Sequence, residues 1–407
     1  MLNEKLTEKT TSYGLNIAGG VVDSLRVKED LKTVVRVYDG GKIGIAGRIG
    51  EGDDGELLEA AKEKLALNIE YPCNLTENQT RSELTAKTVI KPTELVKTVK
   101  KLIARLNAAY PDFIFSNKIN MEEYEKVYEN SKNTKYAYSC NYLSIGLVIK
   151  YKASANIMDL FYGAETDYYD EDAIVRDIGK LLNVYATKLP MPDEELPVIV
   201  PNETVRYALL EMVAEKYASG SSLFKDKLGE KIFSDKVSIL TDRSPAQTQN
   251  GVSFFDNEGV VCKDDKFYYV KDGVFCGLAT YKRSAEKLDL PLSGGGYSDF
   301  DSVPSASFMG VKVTETAEKL NDIIKGKAIY VVYTSGGDMT PDGTLGLPVQ
   351  LAYLYDNGKL VGALPEFSLS ANINDFFGKD FIGAAKNDVF EYCDEKVLVA
   401  KFKINKA

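Results

Sequence analysis

The segment VVRVYDGGKIGIAGRIG, residues 34–50, decides how the first part of this chain folds. Apolar and polar residues alternate on both sides of Asp39-Gly40-Gly41, which is the period of a β-strand with one buried face. Asp-Gly pairs accept the positive φ angles that tight hairpin turns require. The segment therefore predicts a β-hairpin, and similar alternation over residues 10–33 predicts further strands before it.

Helical spacing begins directly after this hairpin, in GELLEAAKEKLALNI, residues 55–69. A second helix is predicted over residues 92–110, because Pro92 suits a first helical position and Pro111 ends the pattern. A strand follows at residues 141–154, and a third helix is predicted over 170–186. Strands interleaved with helices predict an α+β protein whose first part is a mixed sheet covered by helices.

A proline-rich and acidic segment, KLPMPDEELP at residues 188–197, is typical of a domain boundary. We therefore predict an N-terminal α+β domain over residues 1–195 and a C-terminal domain over residues 196–407. The second part contains two hairpin signals, Asp-Gly at residue 272 and Asn-Gly at residue 357, and few helical patterns. It is predicted to be strand-rich, with a large curved or barrel-like sheet.

The composition excludes several kinds of chemistry. The 407 residues contain no histidine, so neither a Ser-His-Asp nor a Cys-His catalytic site can form within one chain. Zinc ligation by imidazole is excluded for the same reason. The net charge of −10 argues against direct binding to nucleic acid, which requires a basic surface.

The expected location is the cytoplasm. No apolar run reaches the length that spans a membrane, and the polar segment MLNEKLTEKT at residues 1–10 does not have the pattern of a secretion signal. Five scattered cysteines without a Cys-x-x-Cys pair indicate neither a disulfide framework nor a zinc knuckle. Because no apolar run is long enough to span a membrane, we also expect no contact with a membrane.

The most informative helical pattern covers residues 203–218, within which Glu211 and Glu215 are four residues apart. On one regular helix these two acids form a narrow acidic stripe on an otherwise apolar surface. The stripe either faces water or a basic group, or serves as a carboxylate pair for acid–base chemistry or metal binding. With histidine at positions 210 and 215 the segment would read H-E-x-x-x-H, but Leu210 and Glu215 occupy these positions.

Ser222-Leu-Phe-Lys225 matches the S-x-x-K pattern in which a lysine activates a serine. The S-D-N and K-T-G motifs that accompany S-x-x-K in known enzymes are absent from the sequence. We therefore do not assign a catalytic role to Ser222.

Segments in both halves of the chain together resemble the TldD/PmbA family of peptide-maturing proteases, historically described as DNA gyrase modulators. The resemblance is carried by the hairpin quoted first, by FDNEGVVCKDDKFYYVKDGVFCGLATYKRSAEKL (255–288) and by SGGDMTPDGTLGLPVQLAYLYDNGKLVGAL (335–364). TldD-like members carry H-E-x-x-x-H and complete a zinc site with a C-terminal cysteine. PmbA-like members, also called TldE, lack the motif and act as the partner subunit.

Carried over by position, the resemblance places Leu210, Glu211 and Glu215 at the motif, so we expect no catalytic residue and no bound zinc in this chain. Cys393 is a weak candidate for the vestigial cysteine position. Two loops depart from the PmbA pattern and are expected to border the substrate groove. Their residues are Ser293, Gly294, Gly295, Gly337, Asp338 and Thr340.

The resemblance implies a non-catalytic PmbA/TldE-like subunit that helps a zinc-bearing TldD-like partner to bind an unfolded peptide. It implies no cofactor for this chain, because zinc is expected in the partner alone. Two alternatives remain open. One is an independent hydrolase that uses Glu211 and Glu215 or a metal other than zinc, and the other is a homodimeric binding or scaffold protein.

Overall fold

The computed structural model describes residues 1–245, 250–392 and 395–406. The strands of the first half are β1 (Leu2–Ala18), β2 (Val21–Asp39), β3 (Lys42–Ile49), β4 (Ile69–Glu70), β5 (Thr80–Leu84), β6 (Phe113–Asn130), β7 (Lys135–Tyr151) and β8 (Leu160–Thr166). The helices of this half are α1 (Asp54–Glu63), α2 (Pro92–Ala109) and α3 (Glu171–Tyr185). The hairpin and the three helices that the sequence predicted are therefore present.

The eight strands form one sheet in the order β4-β3-β2-β1-β6-β7-β5, with β8 also paired to β7. Pairing is antiparallel except between β5 and β7. One face of the sheet packs against helices: Val35 and Val37 of β2 form a cluster with Leu57 and Ala61 of α1. The opposite face of the same strand, which carries Arg36, is also buried. The alternating sequence therefore belongs to a strand that is covered on both sides.

The strands of the second half are β9 (Val198–Pro201), β10 (Ile239–Asp242), β11 (Lys266–Lys271), β12 (Val274–Phe275), β13 (Gly296–Tyr297), β14 (Ser305–Ala306), β15 (Val311–Val313), β16 (Lys327–Thr334), β17 (Asp338–Met339), β18 (Thr344–Asp356), β19 (Lys359–Ala363), β20 (Phe367–Asn372), β21 (Phe381–Lys386), β22 (Lys396–Ala400) and β23 (Lys403–Lys406). The helices are α4 (Arg206–Leu210), α5 (Ala214–Ala218), α6 (Lys282–Leu288), α7 (Leu320–Ile323) and α8 (Ile373–Phe377). Strands dominate this half and its helices are short.

Nine of these strands form a second large sheet, in the order β21-β22-β9-β16-β18-β20-β23, with β17 and β19 also paired to β18. A four-stranded sheet, β12-β11-β10-β15, and the pair β13-β14 complete the half. An α+β fold with a large C-terminal sheet is therefore confirmed.

The two halves share one hydrophobic core. Ile174 and Leu181 of α3 belong to the same buried cluster as Tyr330 and Tyr353 of the nine-stranded sheet. The Tyr353 hydroxyl also donates a hydrogen bond to the Leu181 carbonyl oxygen at 3.2 Å. A division at residues 195/196 remains a prediction, and the packing across it is extensive.

Candidate functional site

The segment at residues 203–218 is not one helix, and our prediction of an uninterrupted helix there is wrong. A 3₁₀ turn (Asn202–Val205) leads into α4, and α5 starts only at Ala214. Val213 between them has an extended backbone, with φ −75° and ψ 129°. The cause is pairing with a neighbouring segment: Ala279 N–H donates to the Met212 carbonyl, and Ala214 N–H donates to the Ala279 carbonyl. These bonds use backbone groups that a continuous helix would need internally.

The interruption separates the environments of the three motif positions. Leu210 ends α4 and is 54% exposed, whereas Glu211 is buried and only 3% exposed. Glu215, in the first turn of α5, is exposed. The acidic stripe expected on a regular helix therefore does not form.

Glu211 is held on both carboxylate oxygens. Lys216 Nζ lies 2.6 Å from Oε1, and the Leu223 N–H donates to Oε2 at 2.9 Å. The Ser222 hydroxyl donates to the Glu211 carbonyl oxygen at 2.6 Å and accepts from the Phe224 N–H at 2.9 Å. Glu211 therefore anchors residues 222–224 to the interrupted helix, and an ion-paired carboxylate is a poor general base.

The residues at these positions do not fit a zinc ion. The Leu210 side chain has no donor atom, and the Glu211 carboxylate is already bonded to an ammonium group and a backbone N–H. Over residues 1–245, 250–392 and 395–406, no group of three or more His, Cys, Asp or Glu side chains is placed to hold a metal ion. Cys393, the candidate for the vestigial cysteine position, lies outside the described residues.

The first glycine-rich loop is buried beside the segment that interrupts the helix. Ser293 Oγ accepts the Thr280 N–H at 2.9 Å, and the Gly294 carbonyl accepts a hydrogen bond from Arg243. A β-carbon at Gly294 would lie 2.7 Å from Cys262 Sγ. Ser293, Gly294 and Gly295 are all buried, so in the isolated chain they support the site from below its surface.

The second loop, residues 335–343, lies directly against the interrupted helix. A β-carbon at Gly337 would be 2.6 Å from Tyr207 Oη of α4. Asp338 and Thr340 are exposed, and Thr340 Oγ1 donates to the Thr344 carbonyl at 3.0 Å. At the end of the loop, a β-carbon at Gly343 would be 3.0 Å from Leu223. The structure thus places this loop, and not the first, on the accessible side of the helix.

A cavity of about 190 Å³, which no sequence pattern predicts, lies where β9 ends and α4 begins. Its lining residues are Val200, Pro201, Glu203, Thr204, Arg206, Tyr207, Val332, Tyr333, Thr334 and Leu347. Of the charged lining residues, Glu203 lies in the 3₁₀ turn and Arg206 is the first residue of α4. Arg206 donates to the Tyr207 hydroxyl at 2.8 Å. The cavity therefore combines an apolar wall of strands with a polar rim.

A network of buried charged groups joins the first sheet to loops of the second half, and sequence reasoning missed it as well. Arg36 of β2 donates to Glu4 Oε1 at 2.8 Å and to the Asn257 carbonyl at 2.6 Å. Glu258 accepts hydrogen bonds from the Tyr71 hydroxyl at 2.6 Å and the Lys282 N–H at 2.9 Å. Burial raises the pKa of Glu258 to about 7, although Lys282 opposes the shift.

The only sequence signal for this network is polar residues inside apolar runs. Arg36 interrupts a run of valines, and Asp256-Asn257-Glu258 follows two phenylalanines. A second lysine of the network, Lys126 of β6, donates to Asn257 Oδ1 at 2.6 Å, and burial lowers its pKa to about 8.

Within residues 1–245, 250–392 and 395–406, no helix has both the length and the apolar character needed to cross a membrane. The cysteines Cys73, Cys140, Cys262 and Cys276 are free thiols.

Two family models match the chain. The PmbA/TldA metallopeptidase C-terminal domain matches residues 193–404, and domain 1 of the same family matches residues 7–67. A metalloprotease of Methanocaldococcus jannaschii is 28% identical over 47% of this chain and 43% of its own length. A zinc metalloprotease TldD homolog of Saccharolobus solfataricus is 21% identical over 69% of this chain and 66% of its own. The match thus spans less than half of the first relative and about two thirds of the second.

The crystal structure of TldE from Thermococcus kodakarensis has the same fold. It aligns with a TM-score of 0.82 at 16% sequence identity, and the alignment covers 100% of this chain and 97% of that chain.

Proposed function

The chain belongs to the PmbA/TldD family of metallopeptidases, and on this premise we propose that it is a PmbA- or TldE-like subunit that binds peptide but does not cleave it alone. The observation that carries the proposal is the burial and ion pairing of the Glu211 carboxylate. This carboxylate is buried and ion-paired with Lys216 at 2.6 Å. The two histidine positions of the motif hold an exposed leucine, which has no donor atom, and an exposed glutamate, and this one carboxylate cannot replace two imidazole ligands.

We propose that a TldD-like chain supplies the zinc and the cleavage, while this chain has no cofactor of its own. The side chain of Leu210 is 54% exposed, and an apolar surface of such a partner can cover it. The partnership takes place in the cytoplasm in this proposal, where the four free thiols stay reduced. Neither nucleic acid nor a membrane takes part.

The peptide is proposed to bind as an added strand along β16. Strand β9 pairs with β16 at Ile329 and Tyr330 and then turns away at Pro201. The next residues of β16, Val332–Thr334, line the 190 Å³ cavity. A peptide bonded to this edge through its backbone would place one side chain in the cavity, and such pairing tolerates many sequences.

The loop with Gly337, Asp338 and Thr340 is proposed to form the far wall of this groove. Ser293, Gly294 and Gly295 are proposed to support the groove from below its surface. Their hydrogen bonds to Thr280 and Arg243 hold in place the segment that interrupts the helix.

The test is co-expression of this chain with a protein that carries H-E-x-x-x-H, followed by purification and a peptide-cleavage assay. We expect a stable complex whose activity is lost when the partner's motif glutamate is changed. Glu211→Gln in this chain, with Glu215→Gln as a matched exposed control, should leave cleavage by the complex unchanged. Cleavage by this chain alone that disappears in Glu211→Gln would refute the proposal.

Two alternatives are decided by simple measurements. An independent hydrolase that uses Glu211 and Glu215 or another metal predicts stoichiometric metal that is lost in Glu215→Ala. A homodimeric scaffold predicts twice the chain mass by light scattering at micromolar concentration, without any peptide-cleaving partner. The ion pair of Glu211 disfavours the first alternative.

A further inference from the structure

A second cavity, of about 520 Å³, lies between the first sheet and the loops of the second half. It is separate from the 190 Å³ cavity, and the two share no lining residue. Its lining residues are Asn74, Thr76, Gln79, Arg81, Tyr136, Val260, Val261, Cys262, Lys263, Lys282 and Leu292. This volume is within the range of small-molecule sites in proteins.

The charge of this lining is opposite to the charge of the whole protein. Among the described residues, three cationic residues and no acidic residue line the cavity, although the net charge of the chain is −10. The charge of Arg81 is already balanced, because its guanidinium pairs with Glu83 and with Asp265. Lys282 has one longer ion-pair contact, 3.6 Å to Glu4 Oε2, so Lys263 and Lys282 keep more of their positive charge available for a ligand than Arg81 does.

Lys282 is the decisive group. It is only 3% exposed, and its Nζ has no hydrogen-bond partner among the described residues. Its ion-pair contact, Glu4 Oε2, is 3.6 Å away, beyond hydrogen-bond distance. Glu4 in turn accepts shorter hydrogen bonds from Arg36 and Tyr128, both at 2.8 Å. A buried ammonium group with three unused donors is costly unless another acceptor binds it.

The other lining residues indicate the chemistry of the rest of the ligand. Asn74, Thr76 and Gln79 offer amide and hydroxyl groups, while Tyr136 and Leu292 are among the apolar side chains of the lining. A free inorganic ion would make no contact with these apolar side chains. The lining therefore fits an organic molecule with one anionic group.

We propose that this cavity is a binding site for a small organic anion, whose carboxylate or phosphate group is bound by Lys282 and Lys263. The site goes beyond the proposed peptide groove and does not depend on it, since no residue of the interrupted helix takes part. Carboxylate and phosphate share the chemistry that an ammonium group recognises, and matched probes separate them.

Isothermal titration of the full chain at low ionic strength tests the proposal with benzoate, phenyl phosphate and benzamide. These probes share one ring and differ in the head group. We expect benzoate or phenyl phosphate to bind with a dissociation constant of about 1 mM or lower, while neutral benzamide does not bind measurably. Whichever anion binds more tightly identifies the head group.

Lys282→Met should weaken binding by about ten- to a hundredfold, because a charge-assisted contact is lost. Lys263→Met, at an exposed position, should weaken it by about two- to fivefold. Lys359→Met, at another exposed lysine on the second large sheet, is the matched control and should bind as the parent does. If Lys282→Met does not fold, the comparison of Lys263→Met with Lys359→Met decides the result. Binding of neither anion, or equal binding by the Lys263 and Lys359 variants, would overturn the proposal.

Discussion

Replacing Glu258 with glutamine should make the stability of this protein less dependent on pH between pH 4.5 and pH 7.5. The carboxyl group is completely buried at the junction of the first sheet with the second half. The side chains with the largest effects on its pKa are Lys282, Asp256 and Tyr71, and Arg36 and Tyr38 also interact with its charge. Burial has the largest effect and raises the pKa from an ordinary value of 4.5 to about 7.

The sign of the effect follows from this raised pKa. Below pH 4.5 the Glu258 carboxyl is protonated in both the folded and the unfolded chain, and its contribution to stability is fully present. As the pH rises toward 7, the unfolded chain loses this proton while the folded chain keeps it, so folding becomes less favourable. At about 1.4 kcal/mol for each pH unit, the loss amounts to about 3 kcal/mol by pH 7.5.

Urea denaturation at half-unit pH steps, for the parent and for Glu258→Gln, measures this directly. The difference in the free energy of unfolding should change by about 3 kcal/mol between pH 4.5 and pH 7.5, in favour of the variant at the higher pH. Glutamine loses one acceptor for the Lys282 N–H, which lowers the variant's stability by about 1 kcal/mol at every pH but does not alter the slope. Glu215→Gln, an exposed control, should follow the parent curve. Parallel curves for the parent and Glu258→Gln would refute the reasoning.

Three further predictions concern the candidate site and the junction. In a double-mutant cycle of Glu211→Gln and Lys216→Met, the effects on the free energy of unfolding should be non-additive by about 1–2 kcal/mol, and additive effects would show that the ion pair has no energetic role. Gly259→Ala should lower the unfolding free energy by more than about 2 kcal/mol, because φ is +68° and a β-carbon would lie 2.3 Å from the Tyr128 ring; a parent-like denaturation midpoint would contradict this. Gly337→Ala should cost about 1–3 kcal/mol by the same assay, since the nearest side-chain carbon is 2.5 Å from the new methyl group, and no change would show that the loop moves away freely.

The interruption of the helix is a feature that the sequence pattern does not predict. An apolar pattern over residues 203–218 correctly indicates a buried segment, but it cannot show that the backbone of Met212 and Ala214 pairs with Ala279. That pairing joins positions more than sixty residues apart, so no local pattern encodes it. It also separates Glu211 from Glu215, which a regular helix would place on one face.

The ion pair of Glu211 was inaccessible to sequence reasoning for a related reason. Lys216 is five residues away, a spacing that does not bring side chains together on a regular helix. Only the break in the helix allows the contact. Conversely, the absence of histidine already excluded imidazole ligation of zinc, whatever the fold.

The sequence by itself determined the elements of this protein and the limits of its chemistry. Periodicity and turn residues act over a few neighbours, so they predicted the hairpin at residues 34–50, the helices α1, α2 and α3 and a strand-rich second half. The tertiary structure decided how distant polar groups meet. Burial of Glu258 and Lys282 between the two halves depends on contacts between segments far apart in the chain. Those contacts set the raised pKa of Glu258 and leave the Lys282 ammonium group without a hydrogen-bond partner among the described residues.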